Sequence, residues 1–212
     1  MIYQDKVYGR QEINDPVVLK IIKTAAFLRL KKVHNAGATY LVDQRRQVSR
    51  FEHCLGVYFL LRLLGVDREE QLAGLLHDLP HTAFSHTVDF LFENKDHNFH
   101  EKFQKKILKS SGIKEILVRT GLNADRFLDE HNFPLLEQPV PGLCADRIDY
   151  FLRDTLEVKT LSQVETETIV NDLVVVEGRI AFRSKETALL AARKFMSQNK
   201  NYWASPREAL WY

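Results

Sequence analysis

Residues 50–80 read RFEHCLGVYFLLRLLGVDREEQLAGLLHDLP, and the organisation of the chain turns on this stretch. Phe51, Cys54, Leu55, Tyr58, Leu61 and Leu64 recur at the three-and-four spacing of one helix face up to Gly65. The positions between them are also largely apolar, so a central, deeply buried helix is expected. It carries His53. Asp67, followed three residues on by Glu70, has the form of a capping box and opens a second helix through Leu75 and Leu76, which Pro80 forces to finish near Leu79. His77 and Asp78 then fall in its last turn.

Outward from this pair, Lys6 to Ile13 reads as a short strand or turn. Asn14-Asp15-Pro16 supplies a helix start with proline at the first position, and that helix should run to about Leu28. Caps at Ser85, Asp96 and Asn123 open short helices, and Gly142 begins another through Ala145, Ile148, Phe151 and Leu152. Leu173-Val-Val-Val, Glu177-Gly178 and Arg179-Ile-Ala-Phe form the one clear β signal, a hairpin. Ser184 caps a long helix to about Tyr202, and Ser205-Pro206 with Glu208 starts one more. The expected fold is all-α: one domain over residues 1–212, with a small hairpin appendage at about 173–183 and a C-terminal helix at about 185–203. No repeat, low-complexity tract or linker marks a second domain.

Composition narrows the class without naming a function. In 212 residues, 45% are hydrophobic and 27% charged, which describes an ordinary globular protein with enough chain to bury a core. The formal net charge is +2 and the basic residues are scattered, so nothing indicates nucleic acid as a partner. Cys54 and Cys144 sit in apolar contexts without a short-spaced partner, which argues against a zinc ribbon or a disulfide framework. The start lacks a leader pattern and no apolar run reaches membrane-spanning length. A soluble cytoplasmic protein without a membrane partner is expected.

Three of the eight histidines, His77, His81 and His86, fall within residues 77–86 beside Asp78 in an otherwise apolar stretch. Buried imidazoles and carboxylates are costly unless paired, and a divalent cation offsets several at once. Neighbouring residues on a helix point about 100° apart, so His77 and Asp78 could share an ion only where the helix frays before the proline. His53 from the preceding helix and a carboxylate from the helix of Asp146 would close the sphere, with Asp149 as an alternative to Asp146. Carboxylates such as Asp149 and Asp154 on a helix are ordinarily solvated or paired, and Arg147 and Arg153 read as surface or helix-pairing charges. His34 and His131 stand apart from the cluster, as ordinary core or surface residues.

Arg50-Phe-Glu-His53, His77-Asp78-Leu-Pro-His81-Thr-Ala-Phe-Ser-His86, His100-Glu101 and Asp146-Arg-Ile-Asp149-Tyr150-Phe-Leu-Arg153-Asp154, in this order and at this spacing, resemble the HD-domain deoxynucleoside triphosphate triphosphohydrolases. The likeness extends from Arg29-Leu30 through Ala192-Arg193-Lys-Phe-Met196. It implies a metal-dependent phosphohydrolase acting on a nucleotide or other small phosphate ester, with one divalent ion held by His53, His77, Asp78 and Asp146. Mixed histidine and aspartate ligands suit manganese, iron, nickel, magnesium or zinc. The resemblance assigns His81, His86 and His100 to acid, base or phosphate-contact roles and Arg50 and Tyr150 to the substrate side. Among these, His86 is the preferred general acid or base, with His100 oriented by Glu101 or Asp89.

The resemblance weakens at particular positions. Where the family has a glutamine that reads the nucleotide sugar, this chain has Asn35, one methylene shorter. A histidine two residues before the arginine of the first motif is Val48, the glycine after His-Asp-Leu is Pro80, and a glycine beyond Arg153-Asp154 is missing. Metal chemistry survives these changes better than nucleotide specificity does, and allosteric activation is not carried over. Two rivals follow: a di-iron oxygenase recruiting His81, His86 or His100 as extra ligands, and a nucleotide-sensing module without turnover. Homo-oligomerisation is left open.

Overall fold

The computed structural model describes residues 1–84, 92 and 103–206, and it opens on a complete hairpin where a single strand or turn was expected: β1 (Ile2–Asp5) pairs antiparallel with β2 (Gly9–Glu12), Asp5 opposite Gly9. The Asp5 Oδ1 atom builds the connection by accepting from the backbone N–H groups of Val7 and Tyr8, at 2.8 and 3.0 Å. The helix expected from Pro16 to about Leu28 is two helices, α1 (Pro16–Ile21) and α2 (Ala25–Leu28). Thr24 divides them. Its hydroxyl donates to the Ile21 carbonyl and accepts from the Phe27 N–H, offering the backbone a local alternative to continuing the helix.

The central pair is as the sequence predicts. A reciprocal Ser49–Glu52 capping box starts α3 (Arg50–Leu63), which is buried almost continuously from Phe51 to Leu61. The side chain of Asp67 caps α4 (Arg68–Leu76), but the returning arm of the expected capping box is absent. Glu70 instead turns inward, and its Oε1 accepts from the backbone N–H groups of Leu135 and Leu136 at 2.5 and 2.9 Å. The last residue of α4 is Leu76, His77 is its C-cap, and Asp78 to Pro80 form a turn. Arg29 grips that turn by donating to the carbonyls of Leu79 and His81 at 2.6 and 2.7 Å.

The caps expected at Ser85 and Asp96 lie outside the described residues. Beyond them come α5 (Gln104–Ser110) and α6 (Ile113–Val118). Asn123 does cap a helix, a short 3-10 one over Ala124–Leu128. The helix expected from Gly142 begins at Ala145, as α7 (Ala145–Glu157). Its first N–H groups are satisfied from outside: Ala145 and Asp146 donate to the carbonyls of Leu135 and Leu136 at 2.8 and 3.2 Å. Glu70 therefore holds, through one segment of backbone, the N-terminus of α7 against α4.

After α8 (Gln163–Asp172), the expected hairpin forms from β3 (Leu173–Val176) and β4 (Arg179–Phe182), with Val176 opposite Arg179. Glu177 and Gly178 both take positive φ, 50° and 72°, as a two-residue type I′ turn requires. The long C-terminal helix is α-helical only over α9 (Lys185–Gln198); Asn199–Trp203 continue as a π-helical turn. The fold is thus all-α with two small hairpins. No described helix is long and apolar enough to cross a membrane.

Core packing centres on α3, which lies against both α4 and α7. Leu55, Leu60 and Leu61 from α3, Leu72, Leu75 and Leu76 from α4, and Leu152 from α7 are all buried in it. Gly56 permits the approach of α7: a Cβ there would overlap Arg153 Nη2 and Asp149 Oδ1. Packing thus sets the carboxylates of one helix against the histidine of another.

Candidate metal centre

Three elements deliver one cluster. His53 lies in the first turn of α3, His77 caps α4, and Asp146 is the second residue of α7. The Nε2 atoms of His53 and His77 are 3.2 Å apart, and Asp146 Oδ1 stands 2.8 Å from the first and 3.4 Å from the second. Asp78 closes on the same point, its Oδ2 at 3.6 Å from His53 Nε2 and 3.7 Å from His77 Nε2, and that oxygen also accepts from Arg50. The tight last turn of α4, released before Pro80, is what lets adjacent residues 77 and 78 face one position. Ligand atoms bound at about 2.1 Å to a divalent ion lie about 3 Å from one another, so these separations suit a shared cation.

The hydrogen bonds behind the cluster point its lone pairs inward. His53 Nδ1 pairs with Asp149 Oδ2 at 2.7 Å and His77 Nδ1 with the Gly74 carbonyl at 2.8 Å. Each outer contact offers only an acceptor, so each Nδ1 donates there, and with an ion in place of the second ring proton each Nε2 would be the ligand atom. Asp149 is in turn held by Arg153 Nε at 2.7 Å, and Arg153 Nη2 reaches Asp5 Oδ2 at 2.8 Å. His53, Asp149 and Arg153 are at most 3% exposed, so the relay is dry.

Electrostatics agree with an unmet demand for positive charge. Burial opposes protonation of His77, yet Asp78, Asp146 and Glu130 outweigh it and raise the imidazole to about 10. On His53, burial is likewise outweighed by Asp146 and Asp149, and its pKa is raised. Desolvation would raise the Asp78 acid, but Arg50, His77 and His81 hold it well below the usual carboxylate range. Carboxylates that draw a proton onto a buried imidazole at this strength would favour a divalent cation in its place. His53, His77 and Asp146 form a candidate metal-binding triad.

The cluster faces a cavity of about 620 Å³ lined also by Arg50, Asp78, His81, Asn35 and Tyr150, so apart from Asp149 every described residue read from the sequence as a ligand or substrate contact borders one cavity. His81 Nε2 is 3.1 Å from Asp78 Oδ1. His86, Asp89, His100 and Glu101 lie outside the described residues. Asp149, held open as an alternative ligand, instead backs His53 from the far side. Of the readings held for these charges the pairing one applies: Asp149 pairs with Arg153 four residues on and Asp154 with Arg46, and Asp149, Asp154 and Arg153 are all buried rather than solvated. Arg147, half-buried, donates to the Gly142 carbonyl and pairs with Glu137.

Sequence reasoning missed several lining residues. Arg46, Glu130, Glu137, Phe195, Asn199 and Trp203 all border the cavity without belonging to a local pattern. The Asp149–Arg153 pair had a signal, the four-residue spacing, whereas Asp5 had none.

Residues 50–154 match the family model described as the HD domain. The similarity to HD-domain proteins covers just under half of the chain. The matched span of the HD domain begins at Arg50 and ends at Asp154, enclosing all four clustered side chains. Among curated relatives, the chain is 42% identical over 189 residues to the uncharacterized protein YdhJ of Bacillus subtilis, an alignment covering 89% of this chain and 58% of the relative. It is 31% identical over 213 residues to the metal-dependent phosphohydrolase cns2 of Cordyceps militaris, covering 97% and 61%. Human deoxynucleoside triphosphate triphosphohydrolase SAMHD1 is 27% identical over 244 residues, covering 89% and 39%. The chain therefore spans less than two thirds of the length of these relatives.

Proposed function

We propose that the chain is a metal-dependent phosphohydrolase acting on a small phosphate ester, a nucleotide in the first instance, and that residues 1–212 act as one domain. The observation that carries this reading is the convergence of two inward-facing Nε2 atoms and two carboxylates on one point in the wall of a cavity of nucleotide size. The names of the Cordyceps and human relatives support it.

His53, His77, Asp78 and Asp146 would hold the ion. When bound, a divalent ion supplies Lewis acidity toward a phosphoryl oxygen and lowers the pKa of water. The chain's own residues do the rest. Arg50, 6% exposed and fixed on Asp78, presents a guanidinium beside the cluster that can pair with a phosphate while keeping Asp78 ionised. His81 rests on Asp78 and lines the cavity, within reach of a phosphate or leaving group. The sequence motif adds His86, His100 and Glu101 as proton-transfer or phosphate-contact residues, His86 being the preferred general acid or base. Tyr150 and Asn35 border the space for the organic half.

Metal analysis of the purified protein, followed by a screen of nucleotides and simple phosphate esters that separates triphosphate, pyrophosphate and orthophosphate release, tests the proposal. About one divalent ion per chain and metal-dependent phosphate release, both lost in His77→Ala, are expected. Saturable nucleotide binding without release under any divalent ion would instead make the chain a sensor. Two irons per chain with absorbance that changes on reduction would make it an oxygenase.

A further inference from the structure

The helix α7 sets out three cavity-lining residues at four-residue intervals. Asp146 sits at the metal cluster, Tyr150 one turn on, and Asp154 a further turn on, about 12 Å from Asp146 along the axis at 1.5 Å per residue. Such a ladder is comparable in length with a nucleoside monophosphate. At its far end Asp154, buried, accepts a hydrogen bond from Trp203 Nε1 at 2.7 Å, and Arg46 Nη2 lies 3.5 Å from the same oxygen.

Trp203 reaches this point because α9 does not simply continue. The π-helical turn Asn199–Trp203 inserts extra backbone per turn and changes which side chains face the cavity, a distortion that frequently marks functional positions. The indole stands edge-on to Tyr150, with ring centres 5.3 Å apart and planes at 80°, and to Phe195 at 5.2 Å and 65°. All three rings border the cavity that holds His53, His77 and Asp146. Two rings at right angles form a corner, and a planar ligand ring entering it can meet one by its face and the other by its edge. The indole N–H is already committed to Asp154, so the plane of the ring is set before ligand arrives and less ordering remains for binding to impose.

We propose that Trp203, fixed by Asp154 and cornered with Tyr150, is a specificity-determining residue that packs against a planar aromatic ring in the organic half of the substrate. The proposal rests on the phosphohydrolase reading for where the phosphate lies, and assigns the ring to the opposite end of the α7 ladder.

The sequence contains two tryptophans, Trp203 and Trp211, so in a Trp211→Phe background the emission reports Trp203 alone. The probes are the ribonucleoside 5′-monophosphates against ribose 5-phosphate, which has the same sugar and phosphate without the base. With the metal-loaded full chain, at least one nucleotide should quench that emission saturably, at concentrations where ribose 5-phosphate leaves it unchanged. Trp203→Leu should weaken nucleotide binding by about tenfold or more and leave the ribose 5-phosphate constant within about twofold. Trp203→Phe, which keeps a ring and loses the bond to Asp154, should fall between, and thermal denaturation of both variants checks that they fold. Equal weakening of nucleotide and ribose 5-phosphate, binding without quenching, or no binding of any base-bearing ligand would each overturn the role of Trp203. If base-dependent binding persists while no phosphate is released, it is the hydrolytic reading that fails.

Discussion

At the scale of single residues, the site depends on side chains that never meet the ion position. His53 can present Nε2 only while Nδ1–H is held by Asp149, and Asp149 holds it only while Arg153 and Asp5 balance its charge. Outer partners of this kind typically contribute ten- to a hundredfold to metal affinity. Asp149→Asn, similar in shape but uncharged, is therefore expected to weaken divalent-metal binding by about 10–100-fold, read by calorimetric titration of the folded variant. Unchanged affinity would mean that the tautomer of His53 is fixed by something else. Arg29 plays a comparable part for Asp78: its two bonds to carbonyls flanking Pro80 fix the turn in which residues 77 and 78 face one point.

Between elements, the decisive contact is that of α3 with α7. It brings His53 within hydrogen-bond distance of both Asp146 and Asp149, one on each ring nitrogen, and the side chains of Asp149 and Arg153 fill the space that a Cβ at Gly56 would occupy. A methyl group there would strike Arg153 and Asp149, neither of which can swing away without losing its buried partner. Overpacking in a tight core costs about 1–3 kcal/mol. Gly56→Ala is thus expected to lower unfolding free energy by about 2 kcal/mol or more in denaturant titration and to weaken metal binding as well. A neutral result would show that α7 can shift without consequence. On the other side, Glu70 sets the height of α7 against α4 through Leu135 and Leu136, so the ligand-bearing end of each of three helices is tied to the others.

For the whole molecule, one carboxylate away from the metal cluster leaves a mark on stability against pH. Burial lifts the acid of Glu157 from 4.5 to about 7; the Val48 N–H and Lys6 oppose the shift, while Asp154 and Glu52 add to it. A raised acid means that the folded chain binds this proton more tightly than the unfolded one. Its contribution is present in full below the unfolded value, is lost as pH rises toward about 7, and is flat above. Glu157→Gln should therefore match the parent near about pH 4 and gain on it progressively up to about pH 7, as read by melting temperature in a series of buffers. A difference independent of pH would refute the assignment.

Within the chain itself, local chemistry determined the central helix pair, the hairpin at Glu177-Gly178 and the histidines and aspartates of the cluster, because helix faces, caps and turns are written over a few neighbouring residues. The break at Thr24 and the late start of α7 were harder to read, since each turns on a competition among backbone partners. Only tertiary structure decided which aspartate of α7 faces the ion position and which backs His53, and that Arg153 is buried. Those outcomes join residues 96 and 148 positions apart, as in His53 to Asp149 and Asp5 to Arg153. No local pattern can encode a contact whose partners meet only after three helices have packed, and the placing of Trp203 beside Asp154 is of the same kind.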